Sequence, residues 1–456
     1  MALSMNDPER PLLYRRFEHA TPAWFRDAKL GVFVHWGPYA VPAWAEPIGA
    51  FGTLDDEEEW FTHNPYAEWY HNTVRIDGSP ARRHHLETYG GADYDTFLDL
   101  WRAESFDAGS VMDLVAATGA RYFVPTTKHH DGVTLWDAPG TGDRNTVRRG
   151  PRRDLVGEFS EAAARRGIRF GVYYSGGLDW HVAPTPPIVR HIDDSVRPRD
   201  RAYADYVFDH VADLIERYRP ELLWGDIEYP DAGKAEGGKS LVELFRRFYA
   251  ARPEGVVNDR WGETHWDFRT SEYAHGAGSE GEGAWENCRG VGFSFGHNRL
   301  EDESHSLTGP EAVRHFLDVV SRGGNLLLNI GLTASGEVAP VQRRTLEALG
   351  AWNRVHGEAV FGSRPLGADL ARPSERPWVR WTRTAGYAHA FVDAPPGTPV
   401  PLDADAGALD LRAADAGALD LRAAGGARAE VVDGTLLVTP DERVLAGPVR
   451  VDVPLR

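Results

Sequence analysis

Eight short apolar runs mark the chain between residues 30 and 331, each long enough for one buried strand. They are LGVFVHWG (30–37), RYFVPTTKHH (121–130), IRFGVYYS (168–175), ELLWGDIE (221–228), EGVVNDRW (254–261), HWDFRTSEY (265–273), GFSFGHN (292–298) and NLLLNIG (325–331). Between them, DAGSVMDLVAATGA (107–120), DLVGEFSEAAARRG (154–167), YADYVFDHVADLIERY (203–218) and KSLVELFRRFYAARP (239–253) repeat apolar side chains at helical spacing. Buried strands alternating with amphipathic helices imply an α/β protein with a parallel sheet, and eight strands imply an irregular (β/α)8-like (TIM) barrel. A doubly wound open sheet is the alternative, but no glycine-rich phosphate fingerprint follows the first run. The segment AHGAGSEGEGAWENCRGV, between the sixth and seventh runs, reads as loop, so a helix is expected to be short or missing there.

After RTLEALGAWNRVHGEAVF (344–361) the texture changes to short alternating segments punctuated by Pro, Gly and Asp: WVRWTR, YAHAFV, ARAEVV, GTLLVTP and VRVDVPL. This pattern predicts a C-terminal antiparallel β-sandwich over 361–456, following a catalytic barrel over 1–360. Within it, ADAGALDLRA occurs twice in tandem at 404–423, a local duplication rather than a solenoid.

The runs end in chemistry. His35; Lys128, His129 and His130; Tyr173; Asp226 and Glu228; Asn258, Asp259 and Arg260; Glu272; Phe295 and His297; and Asn329 all fall at or beyond run ends. In a barrel those ends form one rim, which carries the active site. A lone histidine or arginine there has an ordinary reading as a satisfied core group or a structural ion pair; eight strands delivering such groups to one rim imply a pocket. Two chemistries fit. Asp226 and Glu272, two strands apart, could flank a glycosidic bond, at about 5–5.5 Å for retention of configuration or about 6.5–9.5 Å for inversion, and spacing alone does not choose. The alternative is a metal-dependent hydrolase with His35, His129, His130 and Asp226 as ligands. Against it, the first strand has one histidine instead of a His-x-His pair, and adjacent residues 129 and 130 would face opposite sides of a regular strand.

Composition narrows the partners. The formal net charge is −18, which argues against nucleic acid or an anionic membrane as partner. Fifteen Trp among 11% aromatic residues suit stacking on sugar rings, although large aromatics also simply fill large cores. Cys288 is the only cysteine, so no internal disulfide forms. The first twenty residues contain no apolar signal region, and no apolar run reaches membrane-spanning length. A cytoplasmic protein is expected.

With WFRDAKLGVFVHWGPYAVPAW, EWY, KHHDG with LWD, RDLVGEF, FGVYYSGGLDW, LLWGD, VNDRWG, TSEY, GGNLLLNIG and GEAVFG, the chain resembles glycoside hydrolase family 29, the α-L-fucosidases, of bacterial type. The resemblance covers essentially the whole barrel, and KHHDG and GGNLLLN are its most specific parts. It implies retaining hydrolysis of terminal α-L-fucosides through a covalent intermediate, with Asp226 as nucleophile and Glu272 as acid/base. Glu263 and Glu228 are the fallbacks for the acid/base, whose position varies in the family. It also implies that His35, Glu68, Trp69, His129 and His130 hold the sugar hydroxyls. Tyr173 would orient the nucleophile and Arg260 would pair with a site carboxylate. Trp224 and Phe295 would face the ring and its methyl group, and Lys128 and Asp131 would support the pocket from behind. No metal or cofactor is implied. The acidic insertion AEPIGAFGTLDDEEEWFTHNPYA (45–67) reads as a solvated loop more readily than as a pocket cover. Ile227 follows the aspartate where relatives often carry Gly. Linkage preference, oligomeric state and any sugar binding by the C-terminal domain are not legible.

Overall fold

The computed structural model describes residues 10–50, 53–54, 56–183, 185–273, 283–405, 409, 422–441 and 446–455. Eight parallel strands form the barrel: β1 (Leu30–His35), β2 (Tyr122–Lys128), β3 (Arg169–Ser175), β4 (Leu222–Asp226), β5 (Val256–Val257), β6 (Phe268–Glu272), β7 (Ala284–Gly290) and β8 (Asn325–Gly331). Their order is β5-β4-β3-β2-β1-β8-β7-β6, and a parallel bridge between Asn258 and Phe268 closes the ring.

Strand parity decides which side chains reach the pocket. Val32 and Val34 of β1, Val172 and Tyr174 of β3, Leu223 of β4 and Leu326, Leu328 and Ile330 of β8 pack outward. Their partners there include Phe159, Val211, Phe245 and Phe316 of the surrounding helices. The alternate positions Phe33, Tyr173, Leu222, Trp224 and Leu327 pack together inside. Side chains alternate along a strand, so the same parity sends His35, Asp226 and Asn329 inward at the strand ends.

The helices Ala108–Ala117, Leu155–Arg165, Arg201–Tyr218 and Leu241–Ala251 fall where the periodicity placed them. Each begins at a short polar residue whose side chain accepts a first-turn amide: Asp107, Asp154, Asp200 and Ser240. Such a cap stabilises a helix by about 1 kcal/mol. Gly309–Ser321 and Pro340–His356 complete the helical layer. Among the described residues no helix lies between β5 and β6 or between β6 and β7.

One strand differs from expectation. The seventh is AWENCRG (284–290), inside the stretch read as loop, whereas GFSFGHN forms an irregular loop after it. The strand was hidden because it is polar inside. Glu286 accepts from Tyr122 Oη at 2.5 Å and from Trp224 Nε1 at 2.9 Å, and Asn287 meets Ser271 and His315 at 2.9 and 2.8 Å. Each buried polar group has its partner, so the burial is tolerated.

Beyond the last helix, antiparallel strands Trp378–Thr384, Tyr387–Asp393 and Val449–Pro454 lie at the centre of one sheet. Val400–Pro401, Thr435–Pro440 and Ala427–Val432 form a second, and the two share an apolar core of Val379, Trp381, Val392, Leu436, Val438 and Val451. The sheets meet the barrel's helices directly: Arg380 Nε donates to Asp318 at 2.6 Å and Trp352 Nε1 to Pro448 O at 2.9 Å. Most of the tandem repeat at 404–423 lies outside the described residues. Among the described residues no helix is long and apolar enough to cross a membrane.

Candidate active site

The eleven residues expected to act in catalysis or to contact the sugar all line one pocket at the C-terminal ends of the strands. It holds about 560 Å³ of empty space, its open mouth included. Phe33, Trp60, Tyr66, Ile227 and Cys288 complete the wall.

Asp226 ends β4. Its Oδ2 accepts from Tyr173 Oη at 2.7 Å and its Oδ1 from Arg260 Nη1 at 3.1 Å. The chain then turns sharply, with Ile227 and Glu228 at φ +56° and +70°. A β-branched residue in the left-handed region is strained, by about 1–3 kcal/mol. Two glycines admit the turn. A Cβ on Gly176 would lie 2.5 Å from Glu228 O, and one on Gly177 1.6 Å from Ile227 O. The Gly176 amide donates to Asp226 O at 3.0 Å and fixes the height of the aspartate.

Arg260, just past β5, joins the two candidate carboxylates. Its other terminal nitrogen, Nη2, donates to Glu272 Oε2 at 3.1 Å, and Nε donates to Thr270 Oγ1 at 3.0 Å. The guanidinium lies over the Trp224 ring, 4.7 Å from its centre. Asp259 secures Thr270 by accepting its hydroxyl at 2.7 Å. Trp224 is held from beneath by Glu286, whose carboxyl burial pushes up to about 7. Glu286 carried no sequence signal, because it sits in the strand read as loop.

The histidines are buried and neutral. Desolvation pulls His35 down to about 3, with Asn329 and Asp226 opposing, and takes His129 and His130 well below the ordinary imidazole value. His35 Nδ1 lies 2.7 Å from Asn329 Oδ1, so it carries the proton and Nε2 remains an acceptor. Ser175 Oγ donates to Leu178 O at 3.1 Å and accepts from His130 Nδ1 at 2.6 Å, so His130 Nε2 is also an acceptor. Contrary to the opposite-face expectation, both His129 and His130 face the pocket, their ring centres 3.9 Å apart. The register shifts between Thr126 and Lys128 and β2 ends at Lys128, so strand parity no longer governs the next two residues. Lys128 donates to Ser175 O and Leu178 O at 2.9 and 3.0 Å and pairs with Asp179 at 3.3 Å. Asp131 accepts from Tyr94 Oη at 2.8 Å. Both therefore brace the loops behind the pocket, which is why four polar residues can follow a buried strand.

Glu68 accepts from Gly296 N at 2.7 Å and Ser294 Oγ at 3.1 Å, and burial lifts its carboxyl to about 7. Phe295 lies between those two donors, on the loop after β7 and not on a strand. Trp69 packs edge-on to His130 at 5.2 Å. Glu263 and Glu228 are not in the pocket wall; Glu228 pairs instead with Lys234 and Arg197 at 2.8 and 2.9 Å.

The acidic insertion is a pocket cover, not a solvated loop. Asp56 caps the helix Glu57–Thr62, whose first turn holds Glu57, Glu58 and Glu59. Anionic side chains favour a helix N-terminus, so the acidic run is a helix start. Trp60, Phe61 and Tyr66 are buried, and Tyr66 Oη donates to Glu272 Oε1 at 2.9 Å. Among the described residues no three ligating atoms of His35, His129, His130 and Asp226 converge as a metal site requires.

Two carboxylates at the rim of a barrel, in one pocket walled by histidine and aromatic rings, are the equipment of a glycoside hydrolase. A family model for α-L-fucosidase matches residues 14–358, and the chain belongs to the α-L-fucosidase family. Human tissue α-L-fucosidase is 32% identical over 374 residues, 80% of this chain and 75% of that protein. The crystal structure of Thermotoga maritima α-fucosidase in complex with fucose is 37% identical with a TM-score of 0.80, covering 95% of this chain and 97% of that one. The same enzyme in complex with a mechanism based inhibitor gives 37%, a TM-score of 0.81 and the same coverage.

Proposed function

We propose that this chain hydrolyses terminal α-L-fucosyl residues with retention of configuration, Asp226 acting as nucleophile and Glu272 as acid/base. The observation that carries the reading is the Arg260 fork, which bonds both carboxylates at 3.1 Å. One planar guanidinium reaching both keeps the two carboxylates on one side of the pocket, within the span over which such a pair acts, and membership of the α-L-fucosidase family favours retention. That a similar enzyme is held with fucose supports the choice of sugar.

In the first step an Asp226 oxygen attacks C1 as the bond to the leaving oxygen breaks, and Glu272 gives that oxygen its proton. In the second, Glu272 takes a proton from water, the water oxygen bonds to C1, and the Asp226 ester is released. Tyr173 and Arg260 each occupy one Asp226 oxygen, which fixes the carboxylate's plane while it waits as an anion. His35 and His130 present acceptor nitrogens to sugar hydroxyls, and His129, Glu68 and Trp69 complete that polar wall. Trp224 and Phe295, with Phe33, offer apolar faces to the ring and its C5 methyl.

The reading includes a catalytic unit over 1–360 and a supporting β-domain over 361–456, since among the described residues those lining the pocket run from Phe33 to Phe295. It also places the protein in the cytoplasm, in keeping with a single, buried cysteine. Release of an aryl leaving group from an aryl α-L-fucoside tests the activity; cleavage of the matching α-D-galactoside instead would overturn it.

A further inference from the structure

At the other end of β6 from Glu272, three ligating side chains meet. His19 follows the short 3-10 turn Arg15–Phe17, while His265 and Asp267 immediately precede β6. Asp267 Oδ1 lies 3.4 Å from His19 Nε2 and 3.5 Å from His265 Nε2, and the ligand atoms of all three residues fall within 4.8 Å of one another. Ligands about 2.0–2.1 Å from a tetrahedral zinc ion are separated by about 3.3 Å. Two edges of the cluster already have nearly that length.

Two of the three donors are also oriented as ligands. Asp267 Oδ2 accepts from Tyr249 Oη at 2.7 Å and from Val257 N at 2.8 Å, which fixes the carboxylate from behind. Its Oδ1 is buried without a hydrogen-bond partner and faces the two imidazoles. His19 Nδ1 lies 2.8 Å from Phe17 O and donates to it, so its Nε2 turns a lone pair toward the carboxylate. A metal-bound histidine commonly gives its other N–H to a backbone carbonyl in this way. With Nδ1–H bonded to the Phe17 carbonyl, the 3.4 Å gap between Nε2 and the carboxylate oxygen is where a cation fits. His265 Nε2 donates to Tyr249 Oη at 2.8 Å, and an ion bound at Nε2 would move that proton to Nδ1, which is buried without a hydrogen-bond partner. His265 is fully buried, whereas the His19 side chain is 30% exposed, which leaves an entry path and room for water as fourth ligand.

We propose that His19, His265 and Asp267 bind one divalent transition-metal ion, zinc being one that two imidazoles, a carboxylate and a water hold tetrahedrally. The ion pins the N-terminal segment to the bottom of the strand that carries Glu272. Five residues at about 3.3 Å each put it roughly 16 Å from that carboxylate, so its role is structural and separate from fucoside cleavage. The guanidinium of Arg10, held 3.8 Å over the ring of Trp266, which lies between His265 and Asp267 in sequence, places a positive charge beside the cluster that opposes the ion.

The test is titration of the chelator-stripped full chain with zinc chloride, followed by calorimetry and thermal unfolding. His19→Ala is the informative variant, because a surface ligand can be removed without opening the core. The wild type should take up one equivalent and gain several degrees in Tm at zinc far above Kd. His19→Ala should lose the shift and bind at least tenfold more weakly, Arg10→Gln should bind more tightly, and magnesium should do nothing. Affinity should fall between pH 7.5 and 5.5 as protons compete for the imidazoles. No zinc-dependent shift, or the same shift in wild type and His19→Ala, would overturn the proposal.

Discussion

The pocket has two halves of different origin. Strand ends supply one: His35, Tyr173, Trp224, Asp226 and Glu272, with Arg260 just past β5. Their positions follow from strand parity and are locked by hydrogen bonds of 2.7–3.1 Å. The 45–67 insertion supplies the other, Trp60 and Tyr66, and Tyr66 meets the reacting groups through its hydrogen bond to Glu272. The strand half carries bond making and proton transfer, and the insertion half encloses them. Rigid scaffolds position chemistry and loops shape access to it, so removal of groups from the two halves should differ by orders of magnitude.

Asp226→Gly should cost the most, at least about 10⁴-fold in kcat. Added azide should restore turnover of an activated fucoside as β-fucosyl azide. Glu272→Ala should lose about 10²–10⁴-fold, less with a leaving group that needs no protonation. Rescue by azide should here give the α-azide. A comparable loss on replacing Glu263 or Glu228, with Glu272→Ala little affected, would move the acid/base elsewhere.

Next comes Glu286, beneath the strand half. Its folded carboxyl titrates near 7 because of burial, against 4.5 ordinarily, with Tyr122 and Trp224 opposing. Between those values the folded state holds a proton that the unfolded state has lost, so stability falls as pH rises from about 4.5 to 7. The shift corresponds to roughly 3 kcal/mol. Urea unfolding at pH 5 and pH 8 should show wild type losing about that much more than Glu286→Gln, which has no proton to lose. Equal losses would show that the carboxyl is not held protonated.

Tyr66→Phe, in the insertion half, should have the smallest effect. Loss of one hydrogen bond to Glu272 should lower kcat/KM roughly 2- to 10-fold. A loss as large as that of Glu272→Ala would erase the distinction between the halves.

This division also tracks what could be read from sequence. His35 and Asp226 end apolar runs whose parity points inward, so they were visible as candidates. Their roles, and those of Glu68 and Trp69, came from family resemblance rather than pattern. Trp60 and Tyr66 were obscured by Asp56 to Glu59, whose charges suggest solvent although they begin a helix. Strand β7 escaped notice because Glu286 and Asn287 face partners that lie far away in sequence. His129 and His130 were misoriented because a register shift ends the alternation. The missing information was a helix cap in the first case, distant partners in the second and a register shift in the third.

The most direct test is to trap the intermediate with a 2-deoxy-2-fluoro-fucosyl fluoride and map the modified peptide by mass spectrometry. One label per chain, as an ester on Asp226, is expected. A label on another residue, or none while the enzyme turns over fucosides, would contradict the assignment of the nucleophile.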